Sequence, residues 1–126
     1  PTPNSAFANL PPPLRLAIQF VQENYAKQTL SLADVAKAAH ATESYLSHLF
    51  HNQVGYPLWE YIVRVRMEHA ASMLRLDPYK AAKEICRLVG YESESYFHRA
   101  FKECVGMTLG EFRNQVLAER KRNIGQ

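Results

Sequence analysis

Ser44, Ser47, His48 and His51 follow one another at i, i+3, i+4 and i+7, and the same spacing returns at Ser95, His98, Arg99 and Lys102. Residues so spaced share one face of an α-helix. Hydroxyls, imidazoles, a guanidinium and an ammonium give each face donors, acceptors and positive charge. Arg99 can send two parallel donors to the O6 and N7 acceptors of a guanine, and a serine can bond to any base edge in a groove. The base-facing candidates are therefore Ser44, Ser47, His48, Ser95, His98 and Arg99. His51 and Lys102 come one turn later on their helices, where a phosphate is the better partner.

Other chemistries fit less well. His48 and His51, with His98 on the sister helix, fall short of the three or four ligands that zinc takes, and no Cys or acid at metal spacing completes the set. Cys86 and Cys104 have no CxxC spacing, and both fall on apolar helix positions, where a free thiol is inert packing. No phosphate-cradling glycine loop or paired carboxylates in a definable pocket can be found, and the Ser–His pair at Ser44 and His48 means little on an exposed helix face, so no enzyme, cofactor or metal site is expected.

These faces need helices to carry them, and the punctuation supplies such helices. The opening PTPNSAFANLPPP, residues 1–13, reads as an extended linker. From Leu14 the apolar residues Leu14, Ile18, Val21 and Tyr25 recur at helical spacing. Ser31 is a helix N-cap with Asp34 in the first turn, and a short helix follows over 32–39. Thr42 caps the next helix, 43–53, whose apolar stripe is Tyr45, Leu46, Leu49 and Phe50. Gly55 stops it, and Pro57 opens a helix over 57–76 as a first-turn residue. At 1.5 Å per residue that helix would be about 30 Å long. Short helices near 81–88 and 94–105 come next, the latter capped by Ser93 and stopped by Gly106. A last helix capped by Thr108 runs to about 119, and residues 120–126 read as a frayed tail. No alternation of strand type is present, so the expected fold is all-α, with about seven helices.

The chain repeats itself. Residues 42–61 and 93–112 are identical at eight of twenty positions when shifted by 51: Glu43/Glu94, Ser44/Ser95, Tyr45/Tyr96, Phe50/Phe101, Val54/Val105, Gly55/Gly106, Leu58/Leu109 and Glu60/Glu111. Chance would give about one or two. Upstream the shift becomes 50, pairing Asp34 with Glu84, Val35 with Ile85 and His40 with Gly90, so Glu92 is an extra turn residue. Each copy has a short helix, a tight turn and a capped second helix, the helix-turn-helix arrangement. The expected organisation is a first subdomain at 14–56, a connecting helix at 57–76 and a second subdomain at 77–119.

The 126 residues are 47% apolar and carry a net charge of +3, all of it in the second half. Residues 1–63 hold three basic and four acidic side chains, and residues 64–126 hold twelve and eight. The excess favours a polyanionic partner only weakly. No apolar run approaches the roughly 20 residues of a membrane span. That, with two unpaired cysteines and no leader, fits a cytoplasmic protein. Two second helices joined by a spacer of about 30 Å match successive major grooves, which recur every 34 Å or so. Arg64, Arg66 and Arg75 on the spacer would then run along the phosphates, Arg64 foremost.

Two strings resemble the AraC/XylS family of transcription regulators. SLADVAKAAHATESYLSHLFHNQVGYPLWEYIVRVRMEHAASML is similar to that family's first subdomain and linker helix, and EICRLVGYESESYFHRAFKECVGMTLGEFR to its second. The second string carries Ile85, Gly90-Tyr91, Ser95-Tyr96-Phe97, Arg99, Phe101-Lys102, Gly106 and Phe112-Arg113. The resemblance implies a bipartite, double-stranded DNA-binding domain, commonly of an activator that works with RNA polymerase, and an N-terminal effector and dimerisation domain outside this sequence. The chain departs from the family at His40 (usually Gly), Ala82 (Ile), Cys86 (Ala) and Leu109 (Pro). The competing expectation is a helical protein–protein module anchored by Trp59, Tyr61 and Tyr91.

Overall fold

The computed structural model describes residues 9–125, so the first eight residues of the expected linker lie outside it. The described residues form seven α-helices and no strand: α1 (Pro12–Asn24), α2 (Leu32–Ala38), α3 (Glu43–Val54), α4 (Leu58–Leu76), α5 (Ala82–Leu88), α6 (Glu94–Val105) and α7 (Leu109–Ile124). They divide into two units, one running up to Tyr25 and from Thr29 to Ile62, the other made of Ala26–Gln28 and the residues from Val63 onward.

Side chains close the starts of four helices, α2, α3, α6 and α7. The hydroxyls of Ser31, Thr42, Ser93 and Thr108 each accept a bond from the backbone N–H three residues on, meeting donors the helix cannot satisfy itself. Asp34 and Glu111 return the favour to the N–H groups of Ser31 and Thr108, completing two capping boxes. Those bonds hold the Glu111 carboxyl below its ordinary value, so the cap is intact at neutral pH and is lost as acid protonates it.

The two short helices end alike. After α2, His40 N–H donates to the Lys37 carbonyl at 3.1 Å and Ala41 N–H to that of Ala36 at 3.0 Å. After α5, Gly90 donates to Arg87 at 3.2 Å and Tyr91 to Cys86 at 3.0 Å. This pair of bonds is the Schellman motif, and it puts its central residue at positive φ: 57° for His40 and 95° for Gly90. In the left-handed region a Cβ crowds the following carbonyl. His40 is exposed, so removing it loses no packing. His40→Gly should stabilise the first unit by about 1 kcal/mol, net of glycine's greater freedom when unfolded. A denaturation midpoint unchanged or lowered would contradict this.

The cores of the two copies also match. In the first unit Phe50 is fully buried, its ring 5.6 Å from Tyr61 and 6.1 Å from Tyr56. In the second, Phe101 is fully buried, 5.6 Å from Phe112 in an edge-to-face pair and 6.2 Å from Phe97. Leu46 and Phe97, one repeat apart, are both buried, as are Leu58 and Leu109. Tyr61 also accepts a bond from the Gln22 amide at 3.2 Å, tying α1 to the start of α4.

Several boundaries differ from the sequence reading. α1 starts at Pro12, not at Leu14, because Pro12 and Pro13 take the first turn, where a missing N–H costs nothing. Pro57 precedes α4 instead of opening its first turn, and its carbonyl accepts from the Glu60 and Tyr61 N–H groups. The expected tail is helical as far as Ile124: the Arg120 guanidinium donates to the carbonyls of Arg75 and Leu76 and anchors the last turns of α7 to the end of α4. Arg113 likewise bonds the carbonyls of Pro78 and Lys80 at 2.7 and 2.8 Å, closing the turn after α4.

Candidate nucleic-acid interface

α3 and α6 are each 12 residues long, capped by a hydroxyl and ended by a left-handed glycine, Gly55 or Gly106. With Leu46 and Phe50 facing one core and Phe97 and Phe101 the other, Ser44, Ser47, His48 and His51 on α3 are exposed, and so are Ser95, His98, Arg99 and Lys102 on α6. Each predicted set thus lies together on the solvent face of its own helix. Arg64, the remaining phosphate candidate, is exposed on α4.

The faces carry features that spacing alone does not reveal. His98 Nε2 lies 3.9 Å from a Glu94 carboxylate oxygen, one turn earlier on α6. The Arg99 guanidinium lies over the Tyr96 ring, 5.5 Å from its centroid. Tyr96 is 65% exposed and Tyr45, its counterpart, 56%. Tyr45 was expected in the apolar stripe, but it sits on the flank of that stripe, and Leu46 and Phe50 fill the core without it. The signal was present: a tyrosine identical in both copies at a position the core does not require.

Two of the three spacer arginines lie over aromatic rings. Arg66 is half-buried, donates to the Lys27 carbonyl at 2.9 Å and lies over the Tyr91 ring at 5.3 Å. Burial lowers its pKa and raises that of Tyr91, while the contact between the two opposes both shifts. Arg75 lies over the Phe112 ring at 5.3 Å. Arg66 is thereby taken off the open face expected for it, whereas Arg75 stays exposed with its guanidinium over a ring.

Of the adaptor anchors, Tyr61 is buried and Tyr91 is engaged by Arg66, while Trp59 is 57% exposed. Cys86 is buried, its thiol 3.4 Å from the Tyr91 carbonyl and its pKa raised by desolvation, which leaves it unreactive. Cys104 is exposed, contrary to its expected apolar burial. Among the described residues no group of three or more His, Cys, Asp or Glu could hold a metal. No helix there is long and apolar enough to cross a membrane.

Two matching helix-turn-helix units, each with a capped, solvent-facing second helix, define a bipartite DNA-binding domain. The sequence profile of the family described as "Helix-turn-helix domain" matches residues 35–115, and the chain belongs to that family, within the AraC/XylS type of transcription regulator. It is 30% identical over 105 residues to the lactose operon transcription activator of Staphylococcus xylosus, and 32% identical over 109 residues to the arabinose operon regulatory protein of Escherichia coli. Each match covers 83% of this chain but 37% of the relative, so the chain spans little more than a third of their length. Among solved structures, the C-terminal domain of AraT, a response regulator from Geobacillus stearothermophilus, superposes with a TM-score of 0.79. That match is 30% identical and covers 86% of this chain and 88% of that one. The family is one of DNA-binding domains, not of enzymes.

Proposed function

We propose that this chain recognises specific double-stranded DNA through both faces, with α3 and α6 in successive major grooves, as part of a transcription activator in the cytoplasm. The base contacts are assigned to Ser44, Ser47, His48, Ser95, His98 and Arg99, and the phosphate contacts to His51, Arg64 and Lys102. The observation that carries this reading is the repeat of one polar, exposed face on two helices of equal length and equal capping. RNA polymerase is the proposed protein partner, because an activator acts on transcription, and an effector and dimerisation domain is the proposed companion, because the relatives extend well beyond the third or so of their length that this chain matches. Footprinting tests the reading: one monomer should protect two patches about one helical turn apart on one side of the duplex. A single patch would refute it. A helical adaptor, the rival reading, would bind its partner almost independently of salt.

One quantitative expectation follows from the phosphate assignment. Lys102→Ala should weaken binding by a similar factor on every duplex and reduce the salt slope by about 1. A loss confined to particular sequences would move Lys102 to the base-reading set.

A further inference from the structure

Tyr96 has no structural reason to be aromatic. It is 65% exposed, its neighbour Phe97 supplies the core contact, and its backbone N–H is already held by the Ser93 hydroxyl at 3.3 Å. What its ring does touch is Arg99, whose guanidinium carbon lies 5.5 Å from the ring centroid, one turn along α6. That is within the roughly 6 Å range of a cation–π contact. We infer that Tyr96 is a positioning residue whose ring holds the Arg99 guanidinium ready for a guanine.

The geometry favours this over an ion pair. A carboxylate would hold an arginine by its N–H edge, the same edge that must reach guanine O6 and N7. A ring holds it by its π-face and leaves the in-plane donors open. The turn-neighbour carboxylate on α6 is that of Glu103, four residues on, yet among the described residues Arg99 has no ion pair with it or with any other acid, and Glu94 lies beside His98. A free arginine side chain also loses rotamer freedom when it docks, and a stacked one has already lost part of it. The first copy has the same exposed tyrosine, Tyr45, but His48 where Arg99 stands, so the inference concerns the second copy alone.

This inference rests on Arg99 reading a base, and the test separates the two ideas. Duplexes selected by the parent protein from a random library serve as the probe, with the unselected library as the reference, and unfolding curves confirm that each variant folds. Arg99→Ala alone tests the reading: equal losses on both DNA pools would refute the reading and the inference with it. Where Arg99→Ala loses affinity for selected duplexes only, Tyr96 is decided by three further variants. Tyr96→Ala should lose about two- to fivefold on selected duplexes and blur the same base preference as Arg99→Ala, as expected for an exposed cation–π contact. Tyr96→Phe, which keeps the ring, should stay within about twofold of the parent. Tyr96→Ala should cost nothing more in the Arg99→Ala background. A Phe variant as weak as the Ala variant would show a hydroxyl–phosphate contact instead, and additive losses in the double variant would show independent action. Either result overturns the inference.

Discussion

Phe101→Ala should cost about 3–5 kcal/mol of folding stability, the usual range for emptying a fully buried phenylalanine site. The ring is completely enclosed and meets Phe112 edge-on at 5.6 Å and Phe97 at 6.2 Å, so its loss leaves a cavity lined by rigid rings that relax poorly. A domain of this size has about 5–15 kcal/mol in all. Urea denaturation of the variant should therefore show a much lower midpoint. DNA affinity should fall with it, since Phe101 lies on the same helix as Arg99 and Lys102. Phe50→Ala should behave similarly, because Phe50 meets Tyr61 at the same 5.6 Å. A loss below about 1 kcal/mol at Phe101 would mean that the aromatic cluster is not what holds α6 in place.

Arg99→Ala should remove about 1–3 kcal/mol of discrimination at one base pair and leave preference elsewhere on the site unchanged. Arg99 is the sole guanidinium on either recognition face, so no neighbour can substitute for it. Arg99→Lys should be nearly as damaging, since an ammonium keeps the charge but not the two-pronged donor geometry or the flat face that lies on Tyr96. The measurement is binding to duplexes altered one base pair at a time. If the lysine variant kept the parent's discrimination, charge alone would be the cause and the contact would be to phosphate.

The helices were legible because their signals are local. Hydroxyl caps at Ser31, Thr42, Ser93 and Thr108, glycine stops at Gly55 and Gly106, and the repeat itself depend on residues a few positions apart. The strained turn at His40 was legible by comparison, since its repeat partner is Gly90. What could not be read depends on contacts distant in sequence. Arg66 looks like a solvated spacer cation until Tyr91 is brought against it, and the ring contact of the exposed Arg75 needs Phe112. The helical tail needed Arg120 to find the end of α4, 44 residues earlier. On the recognition faces the exposed set was predicted because a 3.6-residue period sorts inward from outward. Tyr45 lies near the boundary of that sorting, where period alone does not decide, and burial of Leu46 and Phe50 does.

Tyr45 also bears on how such a protein acquires new targets. Its ring stands on α3 where Tyr96 stands on α6, three residues ahead of His48. A single change of His48 to arginine would give the new side chain a stacking platform that duplication has already provided. The surrounding cap, helix length and glycine exit are shared as well, and none of the exposed positions 44, 47 and 48 belongs to the core. With α3 and α6 reading bases as proposed, specificity could drift in one half of the molecule by single substitutions, while the other half kept the protein on its existing sites.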